Sequence, residues 1–209
     1  SSTSSEEVEE HLTLCWRSII SHAAQTSFKD PAQQKLADIV LHLQQRPLLQ
    51  KAGQTCQVQG MAVWKDLPTF GYSIRDAWNL AAGENSDQNS KDQWINLNAF
   101  TALVTASAHS KTNDNPDLSL FCIWSLRQAL EEAEASDVAV AATATWFVYA
   151  APTIYDFCHK GKSFEGKLAK PGSTFQDQSW TGFSQDRWQA WKQKKGELQS
   201  PVSDSTASQ

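Results

Sequence analysis

The stretch that most constrains the fold runs from Val138 to Tyr155 and carries no charged side chain (VAVAATATWFVYAAPTIY). Alanine dominates it and it is too long for one strand, so a helix beginning after Ser136 is favoured over the strand that its valines and threonines suggest. A helix that is apolar all round lies at the centre of a protein. We therefore expect other helices to surround this one, and we expect Pro152 to kink it or divide it in two.

The remaining sequence shows helical periodicity interrupted by loop signals. Apolar residues recur at the spacing of a helix face in residues 5–26, 68–82 and 91–109. Two further helices are predicted to begin with an N-cap and a proline, at Asp30-Pro31 and at Asn115-Pro116, and Ser184 is predicted to cap the last helix.

Two segments lack this periodicity. Residues 51–60 contain two Gly and several Gln and are predicted to be a loop, and no run of alternating polarity indicates strands anywhere in the chain. Residues 160–183 are rich in Gly, Ser and Lys but carry large apolar side chains. A long loop of this kind usually packs over the body of a domain, and some such loops are functional.

These patterns predict an all-α fold, a single-domain bundle of six to seven helices with a long C-terminal strap. A chain of 209 residues can form one domain, and its nine Trp and nine Phe supply large side chains for the core. We predict a flexible N-terminus over residues 1–4, a helical domain over 5–196 and a disordered tail over 197–209.

Composition argues against several classes of function. The formal net charge of −5 disfavours nucleic acid, which selects for an excess of Lys and Arg. No apolar run is expected to approach the roughly 18 residues needed to span a bilayer, and the acidic N-terminus differs from a secretory signal. No membrane association is therefore predicted, and a cytoplasmic location is favoured.

No metal or cofactor is predicted either. The four cysteines are far apart, which favours reduced core thiols over a zinc site. His11 and Cys15 share a helix face, but two such residues are more simply explained as a helix surface that passes into the core. No HExxH, GxGxxG, GxSxG or phosphate-binding loop occurs.

Several polar residues stand inside apolar helical runs, where they need partners. One interpretation is purely structural: Arg127 pairs with Asp76 or Asp156, and Asn98 bonds a helix terminus. The other is that polar groups converge on an apolar pocket. On that interpretation the candidate ligand-binding residues are Arg127, Tyr149, Asn98, Asp76 and Trp180.

A catalytic interpretation centres on the segment after Pro152. Asp156 and His159 are three residues apart on one helix face, and a carboxylate beside an imidazole can transfer protons. Tyr155 is the third catalytic candidate. The simpler alternative is a surface ion pair at a helix C-terminus, where His is favoured in any case.

The order of several motifs resembles a fungal family known as domain of unknown function 3632. The resemblance covers about residues 8–195 and rests on WKDLPTFGYSIRDAW, WINLNAF, IWSLRQALE, ATWFVYAAPTIYDF, EGKLAKPG and GFSQDRWQAWK. The chain departs from the family at Ala169, where many relatives carry an aromatic residue. The resemblance implies a helical intracellular protein, with several relatives from secondary-metabolite neighbourhoods, and it implies no catalytic residues.

Two functions remain open from the sequence. The favoured one is a binding or interaction protein, with a small apolar ligand or a second copy of the chain as partner, whose buried polar groups serve packing. The alternative is a cofactor-free enzyme of the isomerase or cyclase type, acting on a small apolar metabolite in an aromatic pocket near Tyr149, Tyr155 and His159.

Overall fold

The computed structural model describes residues 4–112 and 114–199 as an all-α domain, which confirms the predicted fold class. Within those ranges lie seven helices: α1 Ser5–Gln25, α2 Ala32–Gln44, α3 Phe70–Trp78, α4 Gln88–Lys111, α5 Ser119–Leu130, α6 Asp137–Lys160 and α7 Gln185–Gln199. Residues 1–3 and 200–209 of the predicted terminal segments lie outside the described ranges. Ser4 caps α1, and α7 continues past residue 196.

The uncharged stretch forms α6, and it packs most extensively against α4 and then against α5. Ser136 caps α6 by accepting a hydrogen bond from the backbone N–H of Ala139 at 3.3 Å. The helix runs through Pro152 without dividing. Pro152 has no backbone N–H, so the carbonyl of Val148 loses its helical donor. Both residues lie on the exposed side of the helix, and Val148 is 67% exposed, so water can satisfy that carbonyl.

By length and composition α6 could also cross a membrane, and half of its most apolar window is buried inside the bundle. The expectation that no apolar run approaches spanning length was therefore wrong on those two criteria. A buried core helix meets the same criteria, because its neighbours in the bundle replace water on its apolar sides.

The start of α5 differs from the prediction. The helix begins at Ser119, and Asn115-Pro116 lies in the preceding loop rather than at the cap. The carboxylate of Asp117 accepts from the Ser119 backbone N–H at 3.1 Å, so the side chain two residues before the helix takes the capping role.

The predicted loop at 51–60 contains two small hairpins. β1 (Gln50–Lys51) pairs with β2 (Gln54–Thr55), and β3 (Gln57–Val58) pairs with β4 (Met61–Ala62). Both turns place a residue and a following glycine at positive φ: Ala52 and Gly53 at 51° and 77°, Gln59 and Gly60 at 51° and 77°. Two consecutive left-handed residues match the twist of a two-residue hairpin. The two glycines that predicted a loop therefore lie in the hairpin turns.

Candidate functional site

A groove with a volume of about 510 Å³ opens between α1, α3 and α4. Its apolar walls comprise Ile20, Ala24, Ala77, Trp94 and Leu97 from the three helices and Leu80 from the turn after α3. Alanines on α1 and α3 leave space that larger side chains would fill. Trp94 is held in place by an edge-on contact with Trp78, with ring centroids 4.7 Å apart.

Ser73 supplies a buried polar atom to this groove. The residue lies on α3, is 3% exposed and lines the groove, and its side-chain oxygen has no hydrogen-bond partner among the described residues. Its backbone N–H is satisfied by the Thr69 carbonyl at 2.9 Å. A buried hydroxyl without a partner costs about 1–3 kcal/mol. The oxygen itself is shielded from solvent, so a ligand in the groove reaches it only after the Ser73 side chain rotates or the wall shifts slightly.

The mouth of the groove is polar and loosely held. Arg17 on α1 and Asp76 on α3 form an ion pair at 3.4 Å, with side chains 61% and 63% exposed. An exposed pair of this kind contributes little to stability, so it can open at low cost. Asp76 is the predicted ligand-binding residue that the structure places at this groove.

The C-terminal strap, residues 161–184, is fastened by a buried ion pair that sequence reasoning missed. Glu131 and Arg187 are both 0% exposed, and the carboxylate accepts from Arg187 Nε at 2.7 Å and Nη2 at 2.9 Å. Arg187 Nη1 donates to the carbonyls of Ala169 at 2.8 Å and Gly182 at 2.9 Å. The guanidinium therefore joins the end of α5, the strap and α7.

The same carboxylate receives two more donors, the indole N–H of Trp191 at 2.6 Å and the backbone N–H of Gly172 at 2.9 Å. The strap approaches so closely that a Cβ on Gly172 would lie 2.5 Å from the Glu131 carbonyl oxygen. Glu131 directly follows the last apolar residue of α5, and Arg187 stands among the tryptophans of α7. A charged residue beside large apolar residues was the sequence feature that could have indicated this buried ion pair.

A second charged network joins the end of α4 to α6. The imidazole of His109 lies between two carboxylates, with Nδ1 2.7 Å from Asp114 Oδ1 and Nε2 3.0 Å from Asp156 Oδ2. Lys160 and Lys162 add ion pairs to Asp156 at 2.7 Å and to Asp114 at 3.3 Å.

These partners lower the pKa values of both carboxyl groups. Partial burial raises the pKa of Asp114, but the hydrogen bond from His109 and the charge of Lys162 outweigh it, so the net pKa is lowered. The pKa of Asp156 is lowered chiefly by its hydrogen bond with Lys160, with His109 contributing less. This network ties the loop after α4 to the bundle.

The catalytic candidates are not assembled as the sequence suggested. Asp156 faces His109 on α4 and not His159. His159 is exposed, stacks on Tyr155 at 6.3 Å between ring centroids, and has its Nδ1 3.2 Å from the Gln185 amide nitrogen. Tyr155 is itself 55% exposed. The spacing of three residues places the two groups on one face, but the carboxylate turns toward the neighbouring helix.

Two ligand-binding candidates serve helix packing. Asn98 is fully buried, and its side-chain oxygen accepts from Ser125 at 2.5 Å and from the indole of Trp146 at 2.9 Å, which links α4, α5 and α6. Tyr149 donates its hydroxyl to the Phe28 carbonyl. The Asn98 amide nitrogen donates to the Trp94 carbonyl of its own helix at 2.9 Å, so the Asn98 oxygen and the Tyr149 hydroxyl are the atoms that join neighbouring elements.

Arg127 and Trp180 line one surface concavity beside the strap. Arg127 does not pair with Asp76 or Asp156, since it donates to the Lys170 carbonyl at 3.3 Å. Trp180 shares the same surface concavity, and its ring lies 5.4 Å from the Arg187 guanidinium. The sequence could not show that the two residues share this surface, because 53 positions separate them in the chain.

No group of three His, Cys, Asp or Glu within the described ranges could hold a metal ion. Two of the thiols, Cys122 and Cys158, are buried in the core. Burial raises the pKa of Cys158 to about 12 and raises the pKa of Cys122 well above its ordinary value. Such thiols are poor nucleophiles because the thiolate is the reactive form.

Comparison with known proteins identifies a family whose description gives no activity. A family model described as "Protein of unknown function (DUF3632)" matches residues 16–194. Since this is most of the chain, the protein belongs to that family. No curated protein and no solved structure matches it.

Proposed function

We propose that this member of the DUF3632 family is a non-catalytic binding protein that holds a small, mostly apolar ligand in the groove between α1, α3 and α4. The observation that carries the proposal is the unpartnered hydroxyl of Ser73, which is 97% buried and lines the apolar groove. Ligand sites are typically apolar concavities with a few placed polar groups.

The groove also fits such a ligand in size. A volume of about 510 Å³ lies within the range of about 300–1,000 Å³ that small-molecule sites occupy. The Ser73 hydroxyl can both donate and accept, so it suits a carbonyl or hydroxyl on an otherwise apolar skeleton. The polar mouth formed by Arg17 and Asp76 can contact a ligand's outer end without enclosing it.

The arrangement favours binding over catalysis. General acid–base chemistry needs a titratable group within hydrogen-bond reach of the reacting atom, and the ionisable side chains of this groove, Arg17 and Asp76, are paired with each other at its exposed mouth. A serine without a neighbouring base is a weak nucleophile. Ser73 therefore acts as a hydrogen-bonding group that orients the ligand.

Native mass spectrometry tests this proposal. The purified protein is exposed to an extract of apolar metabolites, and the mass of any retained molecule is recorded for the wild type and for Ala77→Trp, which fills the groove. Ala81→Trp is the matched control, because Ala81 is exposed and lies outside the groove lining. We expect an adduct on the wild type and on the control that Ala77→Trp loses. An adduct that all three proteins retain equally would place the ligand elsewhere.

We also propose that the protein acts in the cytoplasm. Its described cysteines are free thiols, which persist where the environment is reducing. A fluorescent fusion examined in its own cell tests this, and secretion of the fusion would contradict it.

A further inference from the structure

We infer a second ligand site under the C-terminal strap, which binds a phosphate monoester carried on a flat ring. The site is an open concavity of about 770 Å³ that includes Arg127, Lys167, Lys170 and Trp180. None of the residues that line the α1–α3–α4 groove also lines this one. The inference is therefore independent of the function proposed above.

The charge of this concavity opposes that of the whole chain. The protein carries a net charge of −5, yet three cations line the concavity. Glu132 is the carboxylate in its lining, and its Oε2 already accepts from the Ser173 hydroxyl at 2.7 Å and the Ser173 backbone N–H at 3.2 Å. The concavity therefore has an excess of positive charge.

The three cations have no carboxylate partners within the described ranges. Arg127 uses one donor, Nη1, on the Lys170 carbonyl, which leaves the rest of its guanidinium fork free. The ammonium groups of Lys167 and Lys170 are on exposed residues of the strap. A phosphate monoester carries a charge of about −1.5 to −2 at neutral pH, and an arginine fork with two lysines matches that charge and its several acceptor oxygens.

Trp180 gives the concavity an aromatic surface. Its ring is half-buried, lies 5.3 Å from the Phe175 ring and is backed by the buried guanidinium of Arg187 at 5.4 Å. Its indole N–H has no hydrogen-bond partner among the described residues. Because Trp180 is half-buried, part of its ring stays exposed, and a flat ring can stack there while its phosphate reaches the cations.

The experiment follows the backbone and indole signals of ¹⁵N-labelled full-length protein by NMR at low salt. Phenyl phosphate, inorganic phosphate and phenol are titrated in turn, and the Trp180 indole signal is identified by its loss in Trp180→Phe. We expect phenyl phosphate to shift the Trp180 indole and residues 167–181 saturably. It should bind more tightly than inorganic phosphate, because the ring adds stacking, and phenol should cause no saturable shift there.

Two charge variants complete the test. Lys167→Gln/Lys170→Gln should weaken phenyl phosphate binding about tenfold, while Lys35→Gln/Lys192→Gln, exposed lysines outside the concavity, should keep the wild-type affinity. Both pairs remove the same charge, so general electrostatics is controlled. Equal losses in the two variants, equal binding of phenol, or an absence of saturable shifts at Trp180 would each overturn the inference. Shifts centred on Ser73 and Trp94 instead would report the other groove.

Discussion

Replacing Arg187 with methionine should strongly destabilise the protein, because it leaves the Glu131 carboxylate buried without its cation. In the native structure the guanidinium donates two hydrogen bonds to Glu131 and three to the strap carbonyls of Ala169, Lys170 and Gly182, with both side chains fully buried. Removing one partner of a buried ion pair costs about 3–5 kcal/mol. This is a large share of the 5–15 kcal/mol that typically holds a domain folded.

Urea unfolding followed by circular dichroism measures this cost. With a denaturant slope of about 2 kcal/mol/M, the Arg187→Met midpoint should fall by about 1.5–2.5 M. Arg127→Met is the control, since Arg127 also touches the strap but is partly exposed and makes one hydrogen bond of 3.3 Å. It should change stability by less than about 1 kcal/mol.

The double variant Glu131→Gln/Arg187→Met measures the energetic coupling between the two residues. Because the two residues contact each other directly, the double variant should cost about 1–3 kcal/mol less than the sum of the single changes. Additive costs, or an Arg187→Met midpoint equal to that of the control, would refute the role assigned to this ion pair.

Three further predictions concern the strap, the charged network and the thiols. Gly182→Ala should lower the free energy of unfolding by at least about 1–3 kcal/mol, because the added Cβ would lie 2.2 Å from the Lys162 carbonyl oxygen. Gly83→Ala is the control and should be tolerated, since nothing lies within 4 Å of its added Cβ. Equal thermal midpoints of the two variants would contradict this prediction. The lowered pKa of Asp114 means that its contribution is present above about pH 4 and is lost as pH falls through the folded pKa. The unfolding free energy of Asp114→Asn should therefore fall less between about pH 5 and about pH 2 than that of the wild type, and parallel curves would exclude the effect. Iodoacetamide at mildly alkaline pH should modify the exposed Cys15 first and leave Cys122 and Cys158 unmodified until urea is added. Peptide mass spectrometry measures the order of modification, and rapid modification of Cys158 would contradict its raised pKa.

The helices could be predicted from the sequence because their signals are local. Ser136 precedes the uncharged run and caps α6 as expected. The hairpins at 50–62 were missed because each strand has two residues, too few to show alternation. The paired positive φ values at Ala52-Gly53 and Gln59-Gly60 come from turn geometry, which the glycines indicated only in part.

The candidate sites depend on contacts that one sequence does not reveal. Helical spacing placed Asp156 and His159 on one face, but His109, 47 positions earlier, takes the carboxylate. Ser73 could not be recognised from the sequence, because an isolated serine in a helix usually bonds the preceding turn. Its importance comes from burial and a missing partner, and both depend on the packing of three helices.

The most direct test of the binding proposal is the effect of Ser73→Ala on stability and binding together. 2-Naphthol and its apolar counterpart naphthalene are titrated into ¹⁵N-labelled wild type and variant, and urea unfolding is measured on both proteins. 2-Naphthol should shift the signals of α1, α3 and α4 saturably and should bind the wild type about fivefold more tightly than the variant. Naphthalene should not distinguish the two proteins, and the variant should be as stable as the wild type or about 1 kcal/mol more stable. Equal 2-naphthol affinities, or a variant that is clearly destabilised, would show that the Ser73 hydroxyl serves packing and would contradict its proposed role in ligand binding.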